Sequence, residues 1–196
     1  VFLPVAGDRA NSIHKQHDGF TLIELMIVIV VMAILVTAIL PNSSVGLHEQ
    51  LQSAARVLRY DIAYARSLAV SNGSTYRITF NTDNNEYTLE HAGTNPSLNT
   101  LPDSPFRNPG DPDDKHITKL NELLGLANVR LFAIVESGNS VTDIEFGPLG
   151  ETTASGDTEI WLEGVTGNKQ RYIPITVNPV TGLTTIGTFT AIRPSE

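Results

Sequence analysis

Apolar and polar positions divide this chain into stretches of different period. From Phe20 to Leu40 the sequence reads FTLIELMIVIVVMAILVTAIL, apolar at 18 of 21 positions, with Thr21, Glu24 and Thr37 the exceptions. A helix that is apolar all round has no face to turn to water. At 1.5 Å per residue the run is about 31 Å long, close to the hydrocarbon thickness of a bilayer. The run therefore predicts a membrane-spanning helix over residues 20–40. From Val45 to Asn72 the period changes. Leu47, Leu51, Ala55, Leu58, Ile62, Ala65 and Ala69 recur every three or four residues and form one stripe of an amphipathic helix. Arg56, Arg59 and Arg66 mostly fall off that stripe. Gly73 is placed to cap the helix. Pro41, Asn42-Ser43-Ser44 and Gly46 predict a bend or an opened turn between the two helical stretches. As one rod, Phe20 to Asn72 would be about 80 Å long.

Past Gly73 the pattern shortens to runs of strand length. Ser74–Phe80 and Glu86–His91 flank the polar turn 81–85, a hairpin signal. Val129–Val135 and Val141–Phe146 flank Glu136–Ser140. Thr158–Glu163 and Arg171–Val177 flank a turn that contains glycine, and Leu183–Thr188 is a last short strand. Pro174 cannot donate to a ladder, so its strand is expected at an edge or beside a bulge. Between the hairpins lies 92–116, a long loop with five of the eleven prolines and much Asn and Asp. Lys119–Leu126 is expected to form a short helix. One long helix followed by seven short strands makes an α+β chain.

Composition narrows the chemistry. The chain has no cysteine, which removes disulfides, thiolate metal sites and cysteine nucleophiles. Thirteen Lys and Arg against 21 Asp and Glu give a formal net charge of −8. After Gly73 the cations are dispersed (Arg77, Arg107, Lys115, Lys119, Arg130, Lys169, Arg171, Arg193), which points away from nucleic acid, since phosphate binding needs clustered positive charge. Asp111, Asp113 and Asp114 lack the glycine and the distal glutamate of a calcium loop and are expected to be a solvated acidic turn. The histidines show no ligand spacing beyond His14 and His17. No nucleophile elbow or phosphate loop occurs. The composition implies no cofactor and no enzyme.

The segment ahead of the apolar run, 1–19, is short and polar. It carries Arg9 and Lys15 against Asp8 and Asp18. A secretory signal peptide would have a shorter apolar core ending at a small-x-small site, and Leu40-Pro41-Asn42 is not such a site. The sequence opens on Val1 rather than Met, which fits an alternative start codon or a truncation. Glu24 is the anomaly of the run. An ionised carboxylate at the middle of a bilayer costs about 2.5–3.5 kcal/mol on insertion scales, and such groups are usually paired. No Lys, Arg or His lies between Phe20 and Leu47. The partner must come from another chain or from a freed N-terminal amine.

The run Gly19-Phe20-Thr21-Leu22-Ile23-Glu24-Leu25 resembles the processing signature of type IV pilins and type II secretion pseudopilins, with Pro41 where that family places a helix-kinking proline. The resemblance implies a leader, 1–19, cut by a prepilin peptidase between Gly19 and Phe20. It implies N-methylation of Phe20 and pairing of Glu24 with a neighbouring subunit's amine as helices stack. It further implies a type IV pilin-like fold: 20–40 as membrane and filament-core helix, 41–73 as its amphipathic continuation, and 74–196 as a periplasmic β domain. Downstream, Ala65–Gly73 (ARSLAVSNG), Phe146–Gly150 (FGPLG) and Val180-Thr181-Gly182 resemble the minor pseudopilin H and FimT branch. The expected function is that of a minor pseudopilin at the tip of a type II secretion pseudopilus. It would be single-pass in the inner membrane and contact lipid, the peptidase and other major and minor pseudopilins. The alternative is a type IV pilus minor pilin serving pilus priming, twitching or DNA uptake. A membrane-anchored binding domain left uncut at Gly19 is a third class.

Overall fold

A computed structural model describes residues 20–39, 46–102 and 110–194, with side chains in the first segment through Ala33. The chain divides into two compact units, Val1–Ser43 and Ser44–Glu196. In the first unit the apolar run is helical as α1, Leu22–Ile39, and every side chain described in it is exposed. Among the described residues no helix is long and apolar enough to cross a membrane. The run Phe20–Leu40 itself continues beyond Ala33. The leader 1–19, Pro41 and the expected bend at 42–44 lie outside the described residues.

In the second unit the amphipathic stretch forms α2, Leu47–Asn72. Six of the seven stripe residues are buried, from Leu51 to Ala69, and Leu47 is half-buried. Gln50, Ala54 and Leu68 widen the buried face. The helix stops at Gly73, which takes the left-handed conformation (φ 57°, ψ 36°). Gly73 N–H donates to Val70 O (3.4 Å) and Ser74 N–H to Ala69 O (3.1 Å). This paired arrangement satisfies carbonyls that a helix end would otherwise leave unpaired.

The rest is antiparallel β: β1 Tyr76–Asn81, β2 Glu86–His91, β3 Lys115–Lys119, β4 Val129–Glu136, β5 Asn139–Ser140, β6 Asp143–Phe146, β7 Thr158–Thr166, β8 Lys169–Val177 and β9 Thr184–Ile186. They make two sheets, in the orders β3-β2-β1-β6 and β5-β4-β7-β8-β9. The buried face of α2 packs on strands of both sheets. Ile78, Phe80, Tyr87, Leu89, Ile144 and Phe146 from the first sheet close the core with Ile160, Leu162, Ile173 and Ile175 from the second. Gly164 in β7 lets the first turn of α2 come close, since a Cβ there would sit 2.7 Å from Leu47 Cδ1. Asn85, in the β1–β2 turn, ties the sheets together: its Nδ2 donates to Val129 O (2.9 Å) and its Oδ1 accepts from Leu131 N–H (2.8 Å).

Several sequence expectations change here. Among the described residues nine strands occur rather than seven. Lys119–Leu126 is not a helix: Lys119 ends β3, and only Leu120–Glu122 makes a 3₁₀ turn. The stretch 92–116 contains a 3₁₀ turn at Pro96–Leu98, and Lys115 and His116 open β3. The segments 129–135 and 141–146 do not form one hairpin. The chain turns at Ser137-Gly138, pairs only Asn139–Ser140 with β4, and then crosses to the other sheet as β6 beside β1. A short-period pattern marks a strand but not its partner, and the register Ile78↔Ile144 buries both side chains.

Pro174 is accommodated by a bulge in its neighbour. Strand β8 has a strand on each side, so it is not an edge. Ile175 pairs with Ile186, yet Tyr172 bridges Thr190. Three steps on β8 thus face four on the partner segment, which leaves one additional residue opposite the proline. Gly187 N–H donates to Pro174 O (2.8 Å), and a Cβ on Gly187 would sit 2.7 Å from Pro174 Cγ.

Candidate assembly site

The start of α1 is held by bonds among Thr21, Glu24 and Leu25. Thr21 precedes the first helical residue, and its Oγ1 accepts from Glu24 N–H at 3.2 Å, while Leu25 N–H donates to Thr21 O at 3.1 Å. Thr21 is therefore the N-cap, and Thr21-x-x-Glu24 is the order of a capping box. The sequence holds this signal in Thr21 and Glu24, three residues apart at the start of the apolar run. The capping role explains an acid in the first turn, where the helix dipole favours negative charge. It does not explain the surroundings. Phe20, Leu22, Ile23, Leu25 and Met26 are all exposed, and the exposure continues through Met32. Roughly 1.5–3 kcal/mol accompanies full burial of each such side chain, so this surface calls for apolar cover on every side. Of the residues expected to serve processing and assembly, Phe20 and Glu24 share this helix start; Gly19 and Pro41 lie outside the described residues.

In the second unit, the three downstream motifs converge on one side chain. Arg66 projects from α2, and its Nε donates to Gly150 O (3.2 Å) and to Thr181 O (2.7 Å). The turns Gly147–Gly150 and Asn178–Gly182 are thereby fastened to the last turns of the helix. Gly182 (φ +62°) lies so close to Gly150 that a Cβ would sit 2.1 Å from its carbonyl oxygen. Spacing along the chain could not reveal this, because the motifs are 84 and 115 residues from Arg66.

Asp61 is a second feature the sequence reading missed. It faces inward from α2, where Tyr87 O–H donates to its Oδ2 at 2.5 Å and Thr118 Oγ1 lies at 3.5 Å. Burial raises its pKa above the usual 3.8, and these hydrogen bonds offset that only in part. Burial, and then the neighbouring Asp61 charge, push the Tyr87 phenol well above 10. A carboxyl that binds protons more readily folded than unfolded adds stability at acid pH and loses it as pH rises through its folded value. Asp61→Asn keeps an oxygen to accept from Tyr87 and removes the buried charge. Thermal unfolding should therefore show a higher Tm for Asp61→Asn at pH 7, with the two proteins converging as pH falls towards 3.8. An equal gap at every pH would rule out this reading.

Among the described residues, four of the seven cations after Gly73 are engaged with carboxylates. On the outer face of the first sheet Arg77 contacts Glu145, with Asp143 at 3.6 Å and Glu90 at 3.7 Å, and Lys115 pairs with Glu90 at 2.9 Å. Lys119 pairs with Glu122, and Arg130 pairs with the buried Glu163, which also accepts from Tyr172 O–H at 3.0 Å. Arg193 lies over the Phe132 ring. In the acidic turn, Asp111 Oδ2 accepts from Ile117 N–H at 3.4 Å.

Against known proteins, residues 14–40 match a family described as the prokaryotic N-terminal methylation motif. No curated protein matches the chain. Among solved structures, the type IV minor pilin FimU of Pseudomonas aeruginosa is 17% identical, covers 70% of this chain and 93% of its own, and has a TM-score of 0.43. A second crystal form of FimU gives 74%, 91% and 0.44 at the same identity. The minor pseudopilin EpsH from the type 2 secretion system of Vibrio cholerae is 13% identical, with 70%, 95% and 0.47. In this chain, then, a prokaryotic N-terminal methylation motif at 14–40 precedes in sequence an α+β domain in which one long helix packs on antiparallel sheets.

Proposed function

We propose that this chain is a minor pseudopilin, a structural subunit at the tip of a type II secretion pseudopilus that supports export of folded proteins across the outer membrane. A prepilin peptidase cuts between Gly19 and Phe20, and Phe20 is N-methylated. Residues 20–40 hold the subunit in the inner membrane and then pack among the same helices of neighbouring major and minor subunits. The C-terminal domain stands in the periplasm. The observation that carries this reading is Glu24 in an apolar helix whose described side chains are all exposed. A helix of that kind needs apolar cover, and an acid within the cover needs a cation, which the neighbour's freed amine provides. The role is assembly rather than catalysis.

The type IV pilus reading shares every one of these features. The net charge of −8 and the pairing of Arg77, Lys115, Lys119 and Arg130 with carboxylates favour protein export over DNA uptake. Deleting the gene and restoring it on a plasmid separates the two. Exoproteins held in the periplasm, and released on complementation, are expected. An unchanged supernatant with lost twitching or DNA uptake would instead assign the subunit to a type IV pilus.

A further inference from the structure

The surface around Arg66 has an unused half. A guanidinium carries five N–H donors. Arg66 engages only Nε, with Gly150 O and Thr181 O. Its Nη1 and Nη2 make no hydrogen bond among the described residues, and no carboxylate lies within ion-pair distance. Glu151, the nearest acid along the adjoining turn, is committed to that turn's own Leu149 N–H at 3.0 Å. The two turns that Arg66 holds, and α2 beside them, also carry exposed apolar side chains. Leu149 is 86% exposed, Val180 78%, Leu183 58% and Val70 47%. Val70 is beside the fork, since the Cβ position of Gly150 is 3.1 Å from both Arg66 Nη2 and Val70 Cγ2; Leu149 and Leu183 are the chain neighbours of Gly150 and Gly182, whose Cβ positions lie 2.9 Å from Arg66 Nε and 3.0 Å from Arg66 Cδ, and Val180 precedes Thr181, which Arg66 bonds. Arg66 stands 19 residues beyond Leu47, so the surface is about 29 Å along α2 from where the chain comes into the domain.

We infer that this surface docks a different subunit of the same filament, through a segment that presents a carboxylate between apolar side chains. The inference rests on the filament reading above. A planar fork with its outer N–H groups free matches a carboxylate in bidentate geometry. Four exposed apolar side chains on the turns and helix that carry this cation suit a protein segment rather than a small anion, because water solvates them poorly. The charge of the whole chain sharpens the choice. At −8 it repels acidic partners in general, so a carboxylate is accepted only where a free cation faces it. The Nε bonds to two turns fix the fork before the partner arrives, which lowers the ordering cost of association.

The absence of cysteine makes the test clean. Full-length Leu149→Cys, Val180→Cys and, in the exposed β7–β8 turn, Asn168→Cys are made in cells that carry the whole assembly system. Each is labelled with a thiol-reactive benzophenone in isolated membranes, illuminated, and mapped by mass spectrometry. Leu149→Cys and Val180→Cys are expected to link one other subunit at a peptide with Asp or Glu among apolar residues, and Asn168→Cys not to link that peptide. Adding Leu149→Asp to Val180→Cys should cut the link about tenfold, while Leu149→Lys should cut it about threefold, since both remove the leucine but only Asp opposes an incoming carboxylate. Equal losses for Asp and Lys, no link above the Asn168→Cys level, a linked peptide without a carboxylate, or a link to a second copy of this chain would each overturn the inference. Failure of the filament reading is separate: the chain would then be found uncut at Gly19 in every variant.

Discussion

Glu24→Ala is expected to be cut between Gly19 and Phe20 as efficiently as the unaltered chain, yet to be recovered in filaments at about a tenth of its level or less. The magnitude follows from the pair. Removing one partner of a desolvated ion pair strands the other and costs about 3–5 kcal/mol, where 1.4 kcal/mol is tenfold in an equilibrium. A competing local explanation must be separated from this one. Glu24 stands at the third helical position behind the Thr21 cap, so its loss also weakens the helix start, by roughly 0.3–1 kcal/mol. Two further variants divide the roles. Glu24→Gln retains the amide oxygen that a capping box can use but carries no charge. Thr21→Val removes the cap acceptor, at a cost of about 1 kcal/mol, and leaves the charge in place. If pairing governs assembly, Gln should fail as Ala does and Thr21→Val should assemble. If capping governs it, the order reverses. Gly19→Trp completes the set as the variant that should remain uncut. Immunoblots of sheared filaments against whole membranes read all four.

What is legible in the sequence depends on the range of the interaction concerned. The apolar run, the α2 stripe and the Gly73 cap are local. Each repeats within a turn or two, and the structure places them where the period puts them. The N-terminal signature is local too, since it holds the cap, the acid and the start of the run within six residues. Pairing of strands is not local. Val141–Phe146 reads as the return arm of a hairpin, and its assignment to the other sheet depends on Ile144 finding Ile78. Lys119–Leu126 has helix-forming residues, but Lys115–Lys119 completes the edge of the first sheet and leaves only a 3₁₀ turn behind it. The same limit hid the clamp. Arg66, Gly150 and Gly182 each sat in a recognised motif, and nothing along the chain says that the three meet. Asp61 was hidden for the opposite reason: an acid within an amphipathic helix reads as surface until Tyr87 is found against it.

The convergence on Arg66 has a consequence for stability that glycine substitutions can isolate. Gly182→Ala is expected to destabilise the domain by about 3 kcal/mol or more. A left-handed residue other than glycine costs roughly 1–2 kcal/mol. The new methyl would also lie 2.1 Å from Gly150 O, a backbone atom that cannot swing aside. To make room the Gly150 carbonyl must move, and it then leaves Arg66 Nε. Gly73→Ala supplies the comparison. Its φ of +57° is close to the +62° of Gly182, but a Cβ there meets nothing within 4 Å. It should therefore cost only the conformational part. For a domain of this size each kcal/mol shifts Tm by about 2–4 °C, so Gly73→Ala should melt about 2–8 °C below the parent, and Gly182→Ala at least about 6 °C below the parent and clearly below Gly73→Ala. The double variant Arg66→Ala with Gly182→Ala then tests the mechanism. If displacement of Gly150 from Arg66 is part of the damage, the two changes will cost less together than the sum of each alone, by about 0.5 kcal/mol or more. If they add, or if Gly182→Ala melts with Gly73→Ala, the two turns are not locked through Arg66, and the rigid presentation of Leu149 and Val180 loses its physical basis.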